Sequence, residues 1–178
     1  RLGQTYDLHI ALPGAFQVDN LMAAAGLAMA TGMSADAIAA GLPQLSGVRG
    51  RLELVTHLDN GAPVYIDYAH TPDALSAALS ALRPHAQGRL IVLFGCGGDR
   101  DSGKRPLMGQ IATDLADVVF ISDDNPRYED AASIRSEIVA ASPGAIEIAG
   151  RGDAILAAIA ELRQEDLLLI AGKGHEQG

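Results

Sequence analysis

The stretch GCGGDRDSGKRP, residues 95–106, has nearly the spacing of a phosphate-binding loop. Gly98 is followed, after four other residues, by Gly103 and Lys104, as in the pattern G-x-x-x-x-G-K-S/T. Arg105, however, stands where that pattern has the hydroxyl that ligates Mg²⁺. The loop therefore predicts backbone amides able to hold an anion, but it argues against a nucleotide phosphate loop at this position.

The stretch SDDNPRYED has residue types suited to a zwitterionic ligand. Pro126 restricts its own backbone and that of Asn125, so we expect a rigid turn that presents Asp124 and Arg127 together. A carboxylate can bind the ammonium group of an amino acid while a guanidinium binds its carboxylate. The alternative is that the acidic end of this stretch begins a helix, since carboxylates are favourable near a helix N-terminus.

Two further polar stretches, DYAHTP and AGKGHE, supply the other candidates. Asp67 could accept hydrogen bonds from ribose hydroxyls. His70 has no evident nucleophile beside it, and such a histidine is more often structural than catalytic. His175 and Glu176 lack the spacing of a helical zinc site. The residues therefore identify no catalytic group and no metal site in this chain.

The basic residues are few and unevenly placed. A net charge of −9 argues against nucleic acid as the main partner. Both lysines, Lys104 and Lys173, lie in glycine-rich GK stretches, where an ammonium group beside backbone amides suits a phosphate or carboxylate. Arg100 could serve the same ligand or could form an ion pair with Asp99 or Asp101.

Apolar runs alternate with helical segments from residue 64 onward. The runs predict strands at 64–68, 89–94, 117–122, 145–149 and 167–171. The segment 52–58 should form a hairpin with the first of them through the turn at Asn60-Gly61. Such an arrangement predicts an α/β fold, a Rossmann-like and mostly parallel sheet with helices on both faces. The four polar stretches would then share the carboxyl edge of the sheet, where ligands bind in open parallel sheets.

The first 48 residues have a different character. They predict two alanine-rich helices, with Gly32 ending the first and Ser34 capping the second. We expect residues 1–48 to end one domain and 49–178 to form a nearly complete α/β domain. The opening without a methionine suggests a piece of a longer protein. No run of ~20 apolar residues predicts a membrane span, and the single cysteine, Cys96, favours a reducing, cytoplasmic compartment.

Five ordered motifs, GRLE, DYAHTP, GCGGDRDSGKRP, DNPR and GKGHE, resemble the carboxyl-terminal part of the Mur ligases over essentially the whole chain. The resemblance implies a cytoplasmic ligase of peptidoglycan synthesis, dependent on ATP and Mg²⁺ and monomeric. Such an enzyme adds meso-diaminopimelate to UDP-N-acetylmuramoyl-L-alanyl-D-glutamate through an acyl phosphate. Residues 1–48 would end its central ATP-binding domain, and 49–178 would be its amino-acid-binding domain. The phosphate loop, the metal ligands and the UDP-sugar domain would lie upstream, so the chain alone should be inactive.

The same resemblance implies two sets of binding residues. For ATP they are Asn20, Arg51, Asp67 and His70. For meso-diaminopimelate they are Arg100, Asp124, Asn125, Pro126, Arg127, Gly172 and Glu176. Gln17 and Gly150 depart from the family pattern and receive no role. The alternatives are a ligase for lysine or polyglutamate, against which DNPR argues, and a nucleotide-binding or regulatory module without chemistry of its own.

Overall fold

In the computed structural model, which describes residues 5–174, the chain forms two compact units divided between Gly47 and Val48. The first unit contains helices α1 (Phe16–Ala30) and α2 (Ala35–Gly41). Gly32 follows α1 with a φ of +93°, and the Ser34 hydroxyl caps α2 by accepting the Ala37 N–H at 3.2 Å. Both predicted helix boundaries are confirmed.

The second unit is built on a six-stranded sheet. Its strands are β1 (Glu53–His57), β2 (Pro63–Asp67), β3 (Leu90–Phe94), β4 (Val118–Ile121), β5 (Ile146–Glu147) and β6 (Leu167–Ala171), in the order β1-β2-β6-β3-β4-β5. β1 pairs antiparallel with β2 through the predicted hairpin, and all other pairs are parallel. The predicted fold class is confirmed.

Four helices cover the two faces of this sheet: α3 (Pro72–Leu82), α4 (Lys104–Leu115), α5 (Ala131–Val139) and α6 (Arg151–Glu161). The side chains of β3 alternate between two apolar clusters, as the period of a strand requires. Leu90, Val92 and Phe94 pack with α3, α4 and α5, whereas Ile91 and Leu93 pack with α6. Every residue of β3 is therefore buried.

The strand expected at 145–149 is shorter than predicted, because only Ile146–Glu147 has strand pairing. β5 is an edge strand with one neighbour, and both of its residues are exposed. The chain nevertheless continues beside β4, since the Ile148 N–H donates to the Ile121 carbonyl at 3.0 Å. Across the described residues, we find no helix with the length and apolar character needed to cross a membrane.

Candidate functional site

A cavity of about 710 Å³ lies at the carboxyl edge of the sheet. Its volume falls within the range of small-molecule sites. The loops after β2, β3, β4 and β6 all contribute to its lining, which includes His70, Arg100, Lys104, Asp124, Asn125, Arg127 and Gly172. The structure thus brings together five of the seven residues expected to bind an amino acid. Pro126 belongs to the same turn, and Glu176 lies outside the described residues.

The glycines after β3 allow two loops to touch backbone to backbone. A Cβ atom on Gly95 would lie 2.2 Å from the Ser122 carbonyl oxygen, and one on Gly98 would lie 2.0 Å from that of Pro126. The Gly98 N–H donates to the Asn125 carbonyl at 2.9 Å. These glycines are therefore required for loop packing, which explains a sequence that resembles a phosphate loop without being one.

The Asn125-Pro126 turn holds Arg127 in an unusual conformation. The Asn125 side-chain oxygen accepts the Arg127 N–H at 3.2 Å, and the φ of Arg127 is +50°, which is uncommon outside glycine. The Arg127 Nη1 atom donates to the Gly98 carbonyl at 2.6 Å. No other hydrogen bond of this guanidinium is found in the described part of the chain, so most of its donors remain for a ligand.

Arg100 does not form the ion pair that was its alternative role. Asp99 instead accepts the Tyr128 N–H at 3.1 Å, and Asp101 accepts the Gly103 N–H at 2.9 Å. Within residues 5–174, Arg100 has no ion-pair or hydrogen-bond partner. Its exposed guanidinium lines the cavity. The local backbone therefore uses the neighbouring carboxylates and leaves the arginine for a ligand.

Asp124 and Lys104 also contribute charged side chains to the cavity lining, and a second ammonium group, that of Lys173, lies near Asp124. Asp124 is mostly buried, and its Oδ1 atom lies 3.9 Å from the Nζ atom of Lys173. Gly172 has a φ of +82° and lies beside Asp124, since a Cβ atom added to Gly172 would be 4.0 Å from the Asp124 Oδ2 atom. The Lys104 Nζ atom donates to the His70 carbonyl at 2.7 Å. The cavity wall thus offers partners for both charges of an amino acid.

Asp67, expected to contact ribose, is used by the backbone around it. Its Oδ2 atom accepts the Leu52 N–H at 2.8 Å and its Oδ1 atom accepts the Ala69 N–H at 2.7 Å. The residue is 8% exposed and does not line the cavity. Asp67 therefore joins the GRLE segment to the loop after β2, and its contact with ribose stays a prediction.

Tyr68 lies between two of the residues expected to bind ATP. The Arg51 guanidinium carbon is 5.0 Å from the centroid of the tyrosine ring, and the His70 ring centroid is 4.6 Å away. The His70 Nδ1 atom donates to the Tyr68 carbonyl at 2.9 Å, which leaves Nε2 as an acceptor in the neutral ring. Tyr68 borders the cavity described above and a second one of about 260 Å³ beside Arg51. The sequence interpretation gave Tyr68 no role, although DYAHTP contains it.

The last predicted ATP contact, Asn20, belongs to the first unit. It lies on α1, where its amide donates to the Gln17 side chain at 3.1 Å. As for metals, no group of three or more histidine, cysteine, aspartate or glutamate residues in the described part of the chain could hold an ion.

Comparison with known proteins identifies the family. Residues 50–174 match the model described as Mur ligase, glutamate ligase domain. The chain belongs to the Mur ligase family. Two relatives, each named UDP-N-acetylmuramoyl-L-alanyl-D-glutamate–2,6-diaminopimelate ligase, are similar over 99% of this chain and 36% of their own length. That of Agrobacterium fabrum is 54% identical, and that of Zymomonas mobilis is 56% identical.

A solved structure of a ligase with the same name has a similar fold. It is 39% identical to this Mur ligase chain, with a TM-score of 0.72, and the match covers 96% of this chain and 36% of that one. The chain therefore spans a little over a third of the length of the relatives that it matches.

Proposed function

We propose that this chain is the carboxyl-terminal part of an ATP-dependent ligase that adds meso-diaminopimelate to UDP-N-acetylmuramoyl-L-alanyl-D-glutamate. One observation carries the proposal: Arg100 and Arg127 face the same cavity as Asp124, and neither guanidinium has a carboxylate partner in the described structure. meso-Diaminopimelate carries an ammonium and a carboxylate group at each end. Two guanidinium groups and a carboxylate suit such a ligand better than lysine, which has one carboxylate.

The names of the relatives support this choice of substrates, since the two relatives described above, each more than half identical, are named for 2,6-diaminopimelate. In this proposal, meso-diaminopimelate is bound by Arg100, Asp124, Asn125, Pro126, Arg127, Gly172 and Glu176. Part of the ATP-binding site is formed by Asn20, Arg51, Asp67 and His70. In this proposal residues 1–48 end the ATP-binding domain and 49–178 form the amino-acid-binding domain of a cytoplasmic, monomeric enzyme. ATP and Mg²⁺ would meet their phosphate loop and metal ligands outside this chain.

The reaction needs a nucleophilic amine held against an activated carboxyl group. The γ-phosphate of ATP passes to the substrate carboxylate, and the amine of meso-diaminopimelate then attacks the acyl carbon. The C–O bond to phosphate breaks, phosphate leaves, and the amine loses a proton. The contribution of this chain is orientation: Arg100 and Arg127 hold carboxylate groups of the amino acid, and Asp124 holds an ammonium group.

The experiment is a ligase assay on the full-length protein with meso-diaminopimelate, lysine or glutamate as the amino acid. We expect product and ADP with meso-diaminopimelate and little of either with the other two. The isolated chain, residues 1–178, should release no phosphate from ATP above background. Equal turnover with lysine would refute the assigned amino acid, and ATP hydrolysis by the isolated chain would refute the division of roles.

A further inference from the structure

A buried arginine lies outside the cavity, beneath the two loops that present Arg100 and Arg127. The side chain of Arg105, in the first turn of α4, is 2% exposed. Its Nη2 atom donates to both carboxylate oxygens of Glu129, at 2.9 and 2.8 Å, and its Nη1 atom donates to Glu137 at 3.1 Å. Arg105 does not line the cavity and so contacts no ligand there.

Glu129 transmits the position of Arg105 to both loops. Its Oε1 atom also accepts the Asp99 N–H at 2.5 Å, immediately before Arg100 in the chain. Glu129 itself follows the Asn-Pro-Arg turn by two residues, and its N–H donates to the Pro126 carbonyl at 3.0 Å. One carboxylate therefore joins the loop of Arg100, the loop of Arg127 and the helix that begins with Lys104.

The backbone of both loops needs such support. Asp99 and Arg127 both have a φ of +50°, a left-handed conformation that costs a non-glycine residue energy and persists only where the surroundings enforce it. Asp99 directly precedes Arg100, and Arg127 itself lines the cavity. The hydrogen bonds to Glu129 and Asp99 fix these two strained positions relative to one another.

We propose that Arg105 and Glu129 form a positioning pair that sets the separation of Arg100 and Arg127, and thereby the spacing of the carboxylate groups that the cavity accepts. This inference rests on the proposed function. Lysine cannot replace Arg105 in this role, because the guanidinium contacts Glu129 through Nη2 and Glu137 through Nη1, whereas lysine has one ammonium nitrogen on a flexible chain. The hydrogen bonds from Arg105 and from the Asp99 amide lower the pKa of Glu129, so the pair stays ionised at neutral pH.

The chain offers a matched control for Arg105→Lys at the opposite edge of the sheet. Arg89 donates to Asp166 at 3.1 and 2.6 Å and to Glu161 at 2.7 Å, so it too holds two carboxylates. In the full-length enzyme we expect Arg105→Lys to raise KM for meso-diaminopimelate about tenfold, since a small displacement of binding groups is costly, and to leave KM for ATP unchanged. Arg89→Lys should leave both constants unchanged.

A second pair of variants keeps Arg105 in place. Glu129→Gln disturbs the contact to the Asp99 amide, whereas Glu137→Gln removes charge from the partner that touches neither loop. We expect KM for meso-diaminopimelate to rise with Glu129→Gln and to stay within about twofold with Glu137→Gln. If Arg105→Lys does not fold, this pair decides the question, because Glu129 and Glu137 are partly exposed.

Hydrogen exchange separates this inference from the proposed function. Peptides covering residues 95–103 and 123–130 should exchange faster in Arg105→Lys than in Arg89→Lys, whatever the substrate. If the wild-type enzyme makes no product with meso-diaminopimelate, the proposed function fails while this measurement still tests the pair. Unchanged exchange, or faster exchange with an unchanged KM in an enzyme that does use meso-diaminopimelate, would overturn the inference.

Discussion

The arginines at the amino edge of the sheet and the two arginines that line the cavity at its carboxyl edge have different kinds of partners. At the amino edge Arg89 is bound by Asp166 and Glu161, and Arg83 is bound by Asp117 at 2.5 Å. At the carboxyl edge Arg127 donates to a carbonyl oxygen, and Arg100 has no partner among residues 5–174. The same residue type thus stabilises strand ends at the amino edge and leaves most of its donors open in the cavity, whereas Arg105, outside the cavity, is paired with carboxylates as Arg89 is.

This difference separates residues that serve the fold from residues that serve a ligand. Arg89 has its charge neutralised where β3 begins, so its removal should cost stability alone. Arg127 is held in a strained conformation, and its charge is not neutralised by any acid in the described structure. A fold gains nothing from such an arrangement, and local conflicts of this kind are expected at functional sites.

Replacing Arg127 should have the largest effect on substrate binding of all the changes considered. If KM for meso-diaminopimelate did not change, the contrast between the arginines at the two edges would be wrong. Each charge-assisted hydrogen bond to a ligand carboxylate contributes on the order of 1.5–3 kcal/mol. In the full-length enzyme, Arg127→Ala or Arg127→Lys should therefore raise KM for meso-diaminopimelate at least about tenfold. KM for ATP should barely change, because Asn20 and Asp67, which we propose as ATP contacts, lie in other parts of the chain. Steady-state kinetics with each substrate varied in turn measures both constants.

Arg89→Ala is the control at the amino edge. It should lower the midpoint of thermal unfolding and leave both Michaelis constants as they are in the wild type. A joint rise of both constants in Arg127→Ala would mean that Arg127 supports the fold or the closing of domains, and the contrast between the edges would then be lost.

The glycines at the carboxyl edge allow a second test, on stability. Gly98→Ala should destabilise the protein by about 3 kcal/mol, because its Cβ would lie 2.0 Å from a backbone oxygen, which a side-chain rotation cannot relieve. Gly152→Ala in α6 is the matched control: no atom lies within 4 Å of the added Cβ, and alanine is favourable in a helix by about 0.5–1 kcal/mol. Urea unfolding of both variants measures the difference, and equal stabilities would refute the packing account.

Much of the fold could be predicted because its signals are local. Strand β6 has the predicted bounds, since Leu167–Ala171 is a continuous apolar run between polar turns. The cap at Ser34 also depends on nearby residues alone. The turn at Asn60-Gly61 has a local contact of the same kind, because the Asn60 side chain accepts the Ala62 N–H at 3.0 Å, although its amide also donates to the distant Leu162 carbonyl. The expected strand at 145–149 was too long because pairing at a sheet edge depends on the neighbour strand, which its own sequence does not specify.

The candidate site was less accessible to sequence reasoning. The convergence of the loops followed from the parallel sheet, but the partners of each side chain did not. Asp67 is taken up by backbone amides from Leu52 and Ala69, and the buried position of Arg105 depends on Glu129, which is distant in the chain. Such contacts join residues far apart in sequence, and no spacing pattern encodes them.

A third prediction concerns acid stability at the amino edge. Burial alone would raise the pKa of Asp166, but hydrogen bonds from Arg89 and from the Arg163 and Arg89 amides outweigh it and lower the pKa below its usual 3.8. Because the folded-state pKa is lowered, the ion pair contributes its full stabilisation above the usual pKa of 3.8. This stabilisation is lost as the pH falls from there through the folded-state pKa. Asp166→Asn should thus cost about 1–2 kcal/mol at pH 7.

The pH dependence supplies the control for Asp166→Asn. The loss should shrink below about pH 4, where the carboxyl group of Asp166 takes up a proton in the unfolded wild-type protein, and should disappear only below the lower folded-state pKa. Urea unfolding at pH 7 and at pH 3 compares the loss above and below the usual pKa of the carboxyl group, and KM for meso-diaminopimelate at pH 7 should equal that of the wild type. A loss of the same size at both pH values would show that packing, and not charge, explains the role of Asp166.

The smallest expected effect is at Cys96, the single cysteine, which lies between Gly95 and Gly97 at the carboxyl edge. Burial raises the pKa of its thiol to about 11, so only about one molecule in a thousand carries a thiolate at pH 8. The Sγ atom instead lies 3.7 Å from the Met108 sulfur. Iodoacetamide should therefore leave native protein nearly unmodified at pH 8 and should alkylate it fully in denaturant, as mass spectrometry can measure.

Gly98→Ala should speed the alkylation of the native protein, because it disturbs the loop packing that buries the thiol. Rapid alkylation of the wild type would mean that the loops at this edge open readily, which would contradict the fixed separation of Arg100 and Arg127 proposed above.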